Sequence, residues 1–202
     1  MRGSINLNLS DLSELHYITD ISNVPSIMAN GILSHNLSKK LPHKSVAMAE
    51  IQERRDGKRI PGGKLLHDYV NLYFCARNPM LYKLKDSHAE LCVLKIDKEV
   101  LNLQDVVVAD GNASADYTAF APSPAGLSKI DYSLVFATYW TDPDPIIKSR
   151  KKRAKCAEIL VPNKVDVCYI IGAYVSCNEA KSELEKITPN LNVAINLPLL
   201  FK

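Results

Sequence analysis

The sequence predicts an α+β domain, and three observations carry that expectation. Short runs rich in β-favouring residues outnumber helical ones, and loops separate most of them. Strands and helices do not alternate regularly, which disfavours a doubly wound parallel sheet. No GxGxxG follows the first strand and no GxxxxGKS/T occurs, so neither a dinucleotide fingerprint nor a P-loop supports such a sheet. The length of 202 residues suits a single domain, 1–202, since domains usually run to ~100–200 residues. There is no internal repeat.

In chain order, residues 14–19 (Glu-Leu-His-Tyr-Ile-Thr) read as the first strand. Ile21 to Asn30 reads as a helix that Asp20 or Ser22 caps and Gly31 ends. Ile32 and Leu33 begin the next segment, and the polar stretch His35 to Lys44 reads as a loop. Val46 to Arg55 forms a helix or ordered turn before the break at Ile60-Pro61-Gly62-Gly63. Tyr69 to Cys75 is a buried strand, and Pro79 to Tyr82 opens a helical turn. Glu90 to Ile96 is a strand and Val106 to Ala109 a shorter one. Asp110 to Ser128, rich in Gly, Ala, Ser and Pro, reads as a long loop. Leu134 to Trp140 fits a strand or a short helix, and Lys148 to Lys155 a solvated loop. Ala157 to Val161 and Tyr169 to Val175 are strands, Lys181 to Ile187 is a helix, and Val193 to Leu197 closes with a strand. The total is roughly six to eight strands.

Composition is ordinary for a globular chain, with 47% hydrophobic and 23% charged residues. No apolar run approaches the ~18 residues that read as a membrane span. Met1 to Leu15 has no continuous apolar signal-peptide core. A soluble, cytoplasmic protein without a membrane partner is expected. The five cysteines, Cys75, Cys92, Cys156, Cys168 and Cys177, form no CxxC pair and read as reduced, mostly buried thiols. His35, His43, His67 and His88 show no HxxxH spacing, so no metal site is expected. Net charge is only +3, but six of the eight residues from Lys148 to Lys155 are basic, a density that attracts polyanions.

Four clusters could carry chemistry. Glu158 stands alone in the apolar run Ala157-Glu158-Ile159-Leu160-Val161. Pattern leaves it open between an edge carboxylate facing water and a buried functional group. Glu50 to Arg55 is a solvated helix face in isolation, although Arg54 and Arg55 beside a glycine-rich break could grip a pyrophosphate. Tyr73-Phe74-Cys75 offers core aromatics, one of which could stack on a flat ring. His16, Tyr17 and Thr19 on the first strand are weak evidence alone.

Taken in order, these segments resemble the DarT family, the toxins of DarTG-type toxin–antitoxin systems, which ADP-ribosylate bases in single-stranded DNA. The resemblance rests on Ile51-Gln52-Glu53-Arg54-Arg55, Leu66-His67-Asp68-Tyr69-Val70, Tyr73-Phe74-Cys75 with Arg77, Pro79-Met80-Leu81-Tyr82, Tyr139-Trp140 and Ala157 to Val161. It covers the chain from about Leu15 to Val175. The resemblance implies an ADP-ribosyltransferase fold, a split β-sheet core around a central NAD⁺ cleft. It implies Glu158 as the catalytic carboxylate and Arg55 as the arginine that handles NAD⁺ and assists catalysis. Tyr73 would lie against the nicotinamide, with His16, Tyr17 and Thr19 at the co-substrate and Asn23 and Met80 lining its pocket. Lys151, Lys152 and Arg153, with Tyr117, Tyr139 and Trp140, would face DNA. It further implies a monomeric toxin, a role in phage defence, and a cognate antitoxin with ADP-ribosyl hydrolase activity.

The sequence departs from the family's pattern at three places. The first strand reads His16-Tyr17-Ile18-Thr19, so Tyr17 stands where relatives carry histidine. Lys152 stands where thymine-modifying relatives carry arginine, and Asn112 to Tyr117 lacks their histidine. These departures favour guanine over thymine as the modified base. Two other readings stay open: an ADP-ribosyltransferase acting on RNA or protein, and a non-enzymatic nucleic-acid-binding domain.

Overall fold

The strand that carries His16 to Thr19 is the hinge of the architecture. In the computed structural model, which describes residues 7–202, it is β1 (Leu15–Asp20). The first six residues of the segment read as lacking a signal-peptide core lie outside the described residues. The later strands are β2 (Ile32–Leu33), β3 (Tyr69–Tyr73), β4 (Leu91–Ile96), β5 (Val107–Ala109), β6 (Phe120–Pro122), β7 (Glu158–Pro162), β8 (Lys164–Val165), β9 (Ile170–Val175) and β10 (Val193–Ile195). The helices are α1 (Val24–Asn30), α2 (His35–Ser38), α3 (Ala49–Arg55), α4 (Pro79–Lys83), α5 (Tyr132–Val135), α6 (Pro145–Lys155) and α7 (Asn178–Ile187).

Eight strands form one sheet in the order β10-β9-β4-β1-β3-β7-β5-β6, and β2 pairs with β8 apart from it. Every pairing is antiparallel except β10 with β9. β1 follows β4 along its whole length, from Leu15↔Ile96 to Asp20↔Leu91. It meets β3 at the single pair His16↔Tyr73. Beyond that point the two strands diverge, so the sheet is split into two halves that leave room for a cavity.

Alternation along the strands sorts the core. Leu15, Leu72, Leu94, Ile96, Ile159 and Val161 face the larger apolar cluster, which also takes Leu184 of α7 and Val24 of α1. Ile18, Tyr73, Leu91 and Val93 face a second cluster with Leu200. Tyr69, Ala109 and Leu160 belong to a third.

Several expectations are corrected. The basic run is not a loop but the last two turns of α6. Asp144 caps that helix by accepting from Ile146 and Ile147, with Pro145 at its first position. That cap lies upstream of the charges, where attention to charge density alone misses it. His35 to Lys44 is not wholly loop, because α2 takes its first four residues, His35–Ser38. The segment 110–128 contains β6 and a 3₁₀ turn at Ala125–Lys129. Only the start of Leu134 to Trp140 is helical. The cysteines are all free, but only Cys92 and Cys156 are buried, and Cys168 is exposed. No helix among the described residues is long and apolar enough to cross a membrane.

Candidate active site

A cavity of about 410 Å³ sits in the split of the sheet, within the ~300–1,000 Å³ range of small-molecule sites. β1 supplies Tyr17 and Thr19 to its wall, β3 supplies Asn71 and Tyr73, and α3 supplies Arg55. Glu158 lies directly behind Arg55 and Tyr73 and is 1% exposed.

β7 runs between β3 and β5, so Glu158 is flanked in register by Tyr73 on one side and Ala109 on the other. The open question about Glu158 is thereby answered: it is an interior residue, not an edge one. Burial of a carboxylate demands partners, and it has them. Arg55 Nη2 donates to Oε2 at 2.8 Å and Nη1 to Oε1 at 3.3 Å, a two-pronged contact. The backbone N–H of Ala113 donates to Oε1 at 3.1 Å. Burial disfavours the Arg55 cation, but the adjacent Glu158 carboxylate prevails and raises its pKa. Burial, and then the Glu158 charge, push the Tyr73 phenol well above its ordinary value, so it stays neutral. Its hydroxyl donates to Met80 Sδ at 3.1 Å. Burial followed by Glu158 likewise pushes the Cys156 thiol up to about 12.

The remaining co-substrate candidates divide. Thr19 is buried and its Oγ1 accepts from Asn23 Nδ2 at 3.1 Å. Asn23 also clasps the irregular segment around Lys44 that lines the cavity, donating to the Lys44 carbonyl at 2.8 Å and accepting from Lys44 N at 2.9 Å. Tyr17 lines the cavity, and burial, with Cys92 nearby, pushes its phenol up to about 12. His16 does not line the cavity. Its Nε2 lies 3.4 Å from Glu14 Oε1, although Ile18, on the same face of β1, does line the cavity. His16 is the one co-substrate candidate that the cavity wall lacks.

The DNA-facing candidates also separate. Lys151 pairs with Asp142 at 2.7 Å and Arg153 with Asp110 at 2.7 Å, so both are partly neutralised. Lys152 is exposed, as are Lys148 and Arg150 on the same helix. Tyr117 and Tyr139 are 90% and 72% exposed. Trp140 instead packs edge-on against Tyr82 and Phe201.

Sequence reasoning missed two groups at the site. The Ala113 N–H is a backbone donor and carries no residue signature. His67 stacks on His35 with ring centroids 4.2 Å apart and lies 3.0 Å from Gln52 Oε1. Burial lowers the pKa of both histidines, with Lys39 and His43 adding to the effect at His35 and His35 and Arg55 at His67, and both line the cavity. Leu66-His67-Asp68 already stood in the motif set, but nothing local assigned it a place. No group of three or more His, Cys, Asp or Glu among the described residues is placed to hold a metal ion.

Comparison with known proteins gives this geometry a family. A protein-family model described as "ssDNA thymidine ADP-ribosyltransferase, DarT" matches residues 16–199. A DNA ADP-ribosyl transferase–DNA ADP-ribosyl glycohydrolase fusion protein of Thermosipho africanus is 35% identical over 188 residues, covering 90% of this chain and 47% of the fusion. The chain thus spans about half of that relative's length. A DNA ADP-ribosyl transferase of Thermus sp. is 32% identical over 159 residues, 73% of each chain. Among solved structures, Thermus sp. 2.9 DarT in complex with ADP-ribosylated ssDNA superposes with a TM-score of 0.84 at 27% identity, covering 96% of this chain and 99% of that one. The same protein in complex with NAD⁺ gives 0.76 at 25% identity, covering 93% and 96%. The split sheet is the ADP-ribosyltransferase fold that the motifs implied. With a matching family model over most of its length and relatives above 30% identity, this chain belongs to the DarT family of DNA ADP-ribosyltransferases.

Proposed function

We propose that this chain transfers ADP-ribose from NAD⁺ to a base in single-stranded DNA and releases nicotinamide. The observation that carries this reading is the Arg55–Glu158 pair, with Arg55 and Tyr73 on the wall of a cavity in the split sheet and Glu158 buried directly behind them. In this reading the nicotinamide lies against Tyr73, and Thr19 and Tyr17 hold its amide end. Asn23 and Met80 shape the pocket, and Arg55 serves both the pyrophosphate and Glu158. Breaking the nicotinamide–ribose bond sends its electron pair to the nicotinamide and builds positive charge at C1′. A fixed carboxylate stabilises that charge with little reorganisation. A base nitrogen then bonds to C1′, and Glu158 takes its proton.

Guanine is the proposed acceptor, on the departures at Lys152 and Asn112 to Tyr117. The description of the matching family names thymidine, which favours thymine as the alternative acceptor. Exposed Lys152 and Tyr139, with Lys151 and Arg153, contribute a DNA-facing surface. The protein acts as a cytoplasmic monomeric toxin, opposed by an antitoxin that hydrolyses the ADP-ribosyl–DNA bond.

Labelled NAD⁺ with single-stranded oligonucleotides of each base tests the reading. Label on the guanine oligonucleotide is expected, and label on the thymine one alone replaces guanine by thymine. Label on RNA or protein but on no DNA sinks the DNA assignment. Failure of NAD⁺ to raise the melting temperature sinks the enzyme assignment, because a ligand of the folded state alone must stabilise it.

A further inference from the structure

α6 ends on a buried lysine. Lys155 is 1% exposed and is the only buried lysine among the described residues. A cation taken out of water needs a counter-charge or hydrogen bonds in place of hydration. Elsewhere on α6 acids serve, Asp142 for Lys151 and Asp110 for Arg153. Lys155 has no such carboxylate among the described residues. Its Nζ donates instead to the Val135 carbonyl at 2.7 Å and to Cys75 Sγ at 3.2 Å. Cys75 and Lys155 are 80 residues apart in the chain. Cys75 lies between β3 and α4, and Lys155 closes α6 just before the strand of Glu158.

The five cysteines differ in chemistry. Cys92 and Cys156 are buried, and burial raises the pKa of both thiols, which keeps the reactive thiolate scarce. Cys168 is exposed and Cys177 half-buried, but neither has a lysine nitrogen in hydrogen-bond distance among the described residues. Cys75 alone combines a partly accessible sulfur with a facing lysine nitrogen that is itself walled off from solvent. Their 3.2 Å separation lies within the ~3–3.5 Å from which reacting atoms form a bond.

We propose that Cys75 and Lys155 form an oxidative cross-linking site, in which a hydroperoxide oxidises Cys75 and Lys155 Nζ then closes an S–N bond, a sulfenamide. The Cys75 sulfur attacks one peroxide oxygen, the O–O bond breaks, and the thiol proton leaves with the departing hydroxide as water. The sulfur has then given two electrons to the peroxide and stands as a sulfenic acid. Lys155 Nζ attacks that sulfur and the S–OH bond breaks. Counted from its ammonium form, the nitrogen gives up two protons, one joining the hydroxide as water and one passing to solvent. Partial exposure of Cys75 admits the peroxide, and the adjacent buried nitrogen captures the sulfenic acid before a second oxidant reaches it. A small thiol reverses the link. Its sulfur attacks Cys75 Sγ, the S–N bond breaks, the nitrogen takes up two protons, and a second thiol resolves the mixed disulfide. The bond staples the end of α6 to the segment between β3 and α4. This chemistry is independent of which acceptor receives ADP-ribose.

Mass spectrometry of the full-length protein, treated with hydrogen peroxide, blocked with iodoacetamide and digested, tests the site. The expected product is a peptide pair joining Cys75 to Lys155, lighter by two hydrogens than the two free peptides together, which dithiothreitol separates. Cys75→Ser and Lys155→Met are each expected to lose the link, and Lys155→Met to leave Cys75 as a sulfenic acid that dimedone captures. The exposed Cys168 gives the oxidation reference within each sample. Cys75 recovered as a free thiol at a peroxide dose that oxidises Cys168 overturns the site. So does Cys75 recovered as a sulfinic acid or a disulfide with Lys155 unlinked. A linked pair that carries one extra oxygen, or that dithiothreitol does not open, overturns the S–N bond. The wild-type digest decides by itself, so a variant that fails to fold leaves the outcome intact.

Discussion

At Glu158 three donors converge on one buried carboxylate, two from Arg55 and one from Ala113. Fixing it this way before substrate arrives is what lets a carboxylate stabilise developing charge without rearranging. Glu158→Ala and Glu158→Gln are both expected to abolish ADP-ribose transfer, read by label on DNA. Glu158→Ala also leaves Arg55 buried without its counter-charge. The expected loss is about 3 kcal/mol in urea unfolding, at the low end for a broken buried pair because Arg55 borders the cavity. Glu158 was legible from sequence as a lone carboxylate in an apolar run. Its partners were not, because Arg55 is 103 residues away in the chain and Ala113 contributes only backbone.

Among the elements, α4 is set by Asn78, which is fully buried. Its Oδ1 accepts from Met80 N and Leu81 N, both at 3.0 Å, and its Nδ2 donates to the Cys75 carbonyl at 3.1 Å. The cap thereby positions Met80 against Tyr73. Asn78→Ala is expected to cost roughly 1–2 kcal/mol of stability for the lost cap and to raise KM for NAD⁺. Urea unfolding and steady-state kinetics measure the two effects. β1 shows how one strand serves two sites, since Tyr17 and Thr19 face the cavity while His16 joins Glu14, Lys95 and Tyr174. Burial would raise the Glu14 carboxyl, but hydrogen bonds from His16, Lys95 and Tyr174 outweigh it and hold its pKa at about 2, below the ordinary 4.5. The folded-state value lies below the unfolded one, so the stability this cluster contributes is complete above about pH 4.5 and is lost as the pH falls through about 2. The stability gap between wild type and Glu14→Gln is therefore expected to shrink from pH 5 to pH 2.5. A gap that stays constant in urea melts across that range would refute the coupling.

For the whole molecule, the proposed function requires the charge on α6 and the split of the sheet to bring a polyanion and a co-substrate to one carboxylate. Lys151 and Arg153 spend part of their charge on Asp142 and Asp110, leaving Lys148, Arg150 and Lys152 exposed. Arg150→Gln with Lys152→Gln is expected to weaken DNA binding and flatten its salt dependence by up to about 1.4 in log–log slope, two single-strand phosphate contacts. Fluorescence anisotropy with labelled oligonucleotide across a salt series measures it. Arg153→Gln should behave differently. The Arg153 guanidinium holds Asp110 at 2.7 Å, and losing that side-chain contact loosens the turn beside Glu158, while the bond from Asn112 N to the residue-153 carbonyl remains. The sequence by itself determined the α+β class, the strands around Tyr73 and Glu158, and the ordered motifs that mark the family. These are local or linear properties, set by residue preference and alternation. Only the tertiary structure decided that β1 leaves β3 after one pair, that His16 does not line the cavity, and that Arg55 closes on Glu158. Those outcomes depend on which distant segments share a sheet edge and on how burial forces each charge to find a partner, and neither is written in any single window of the chain.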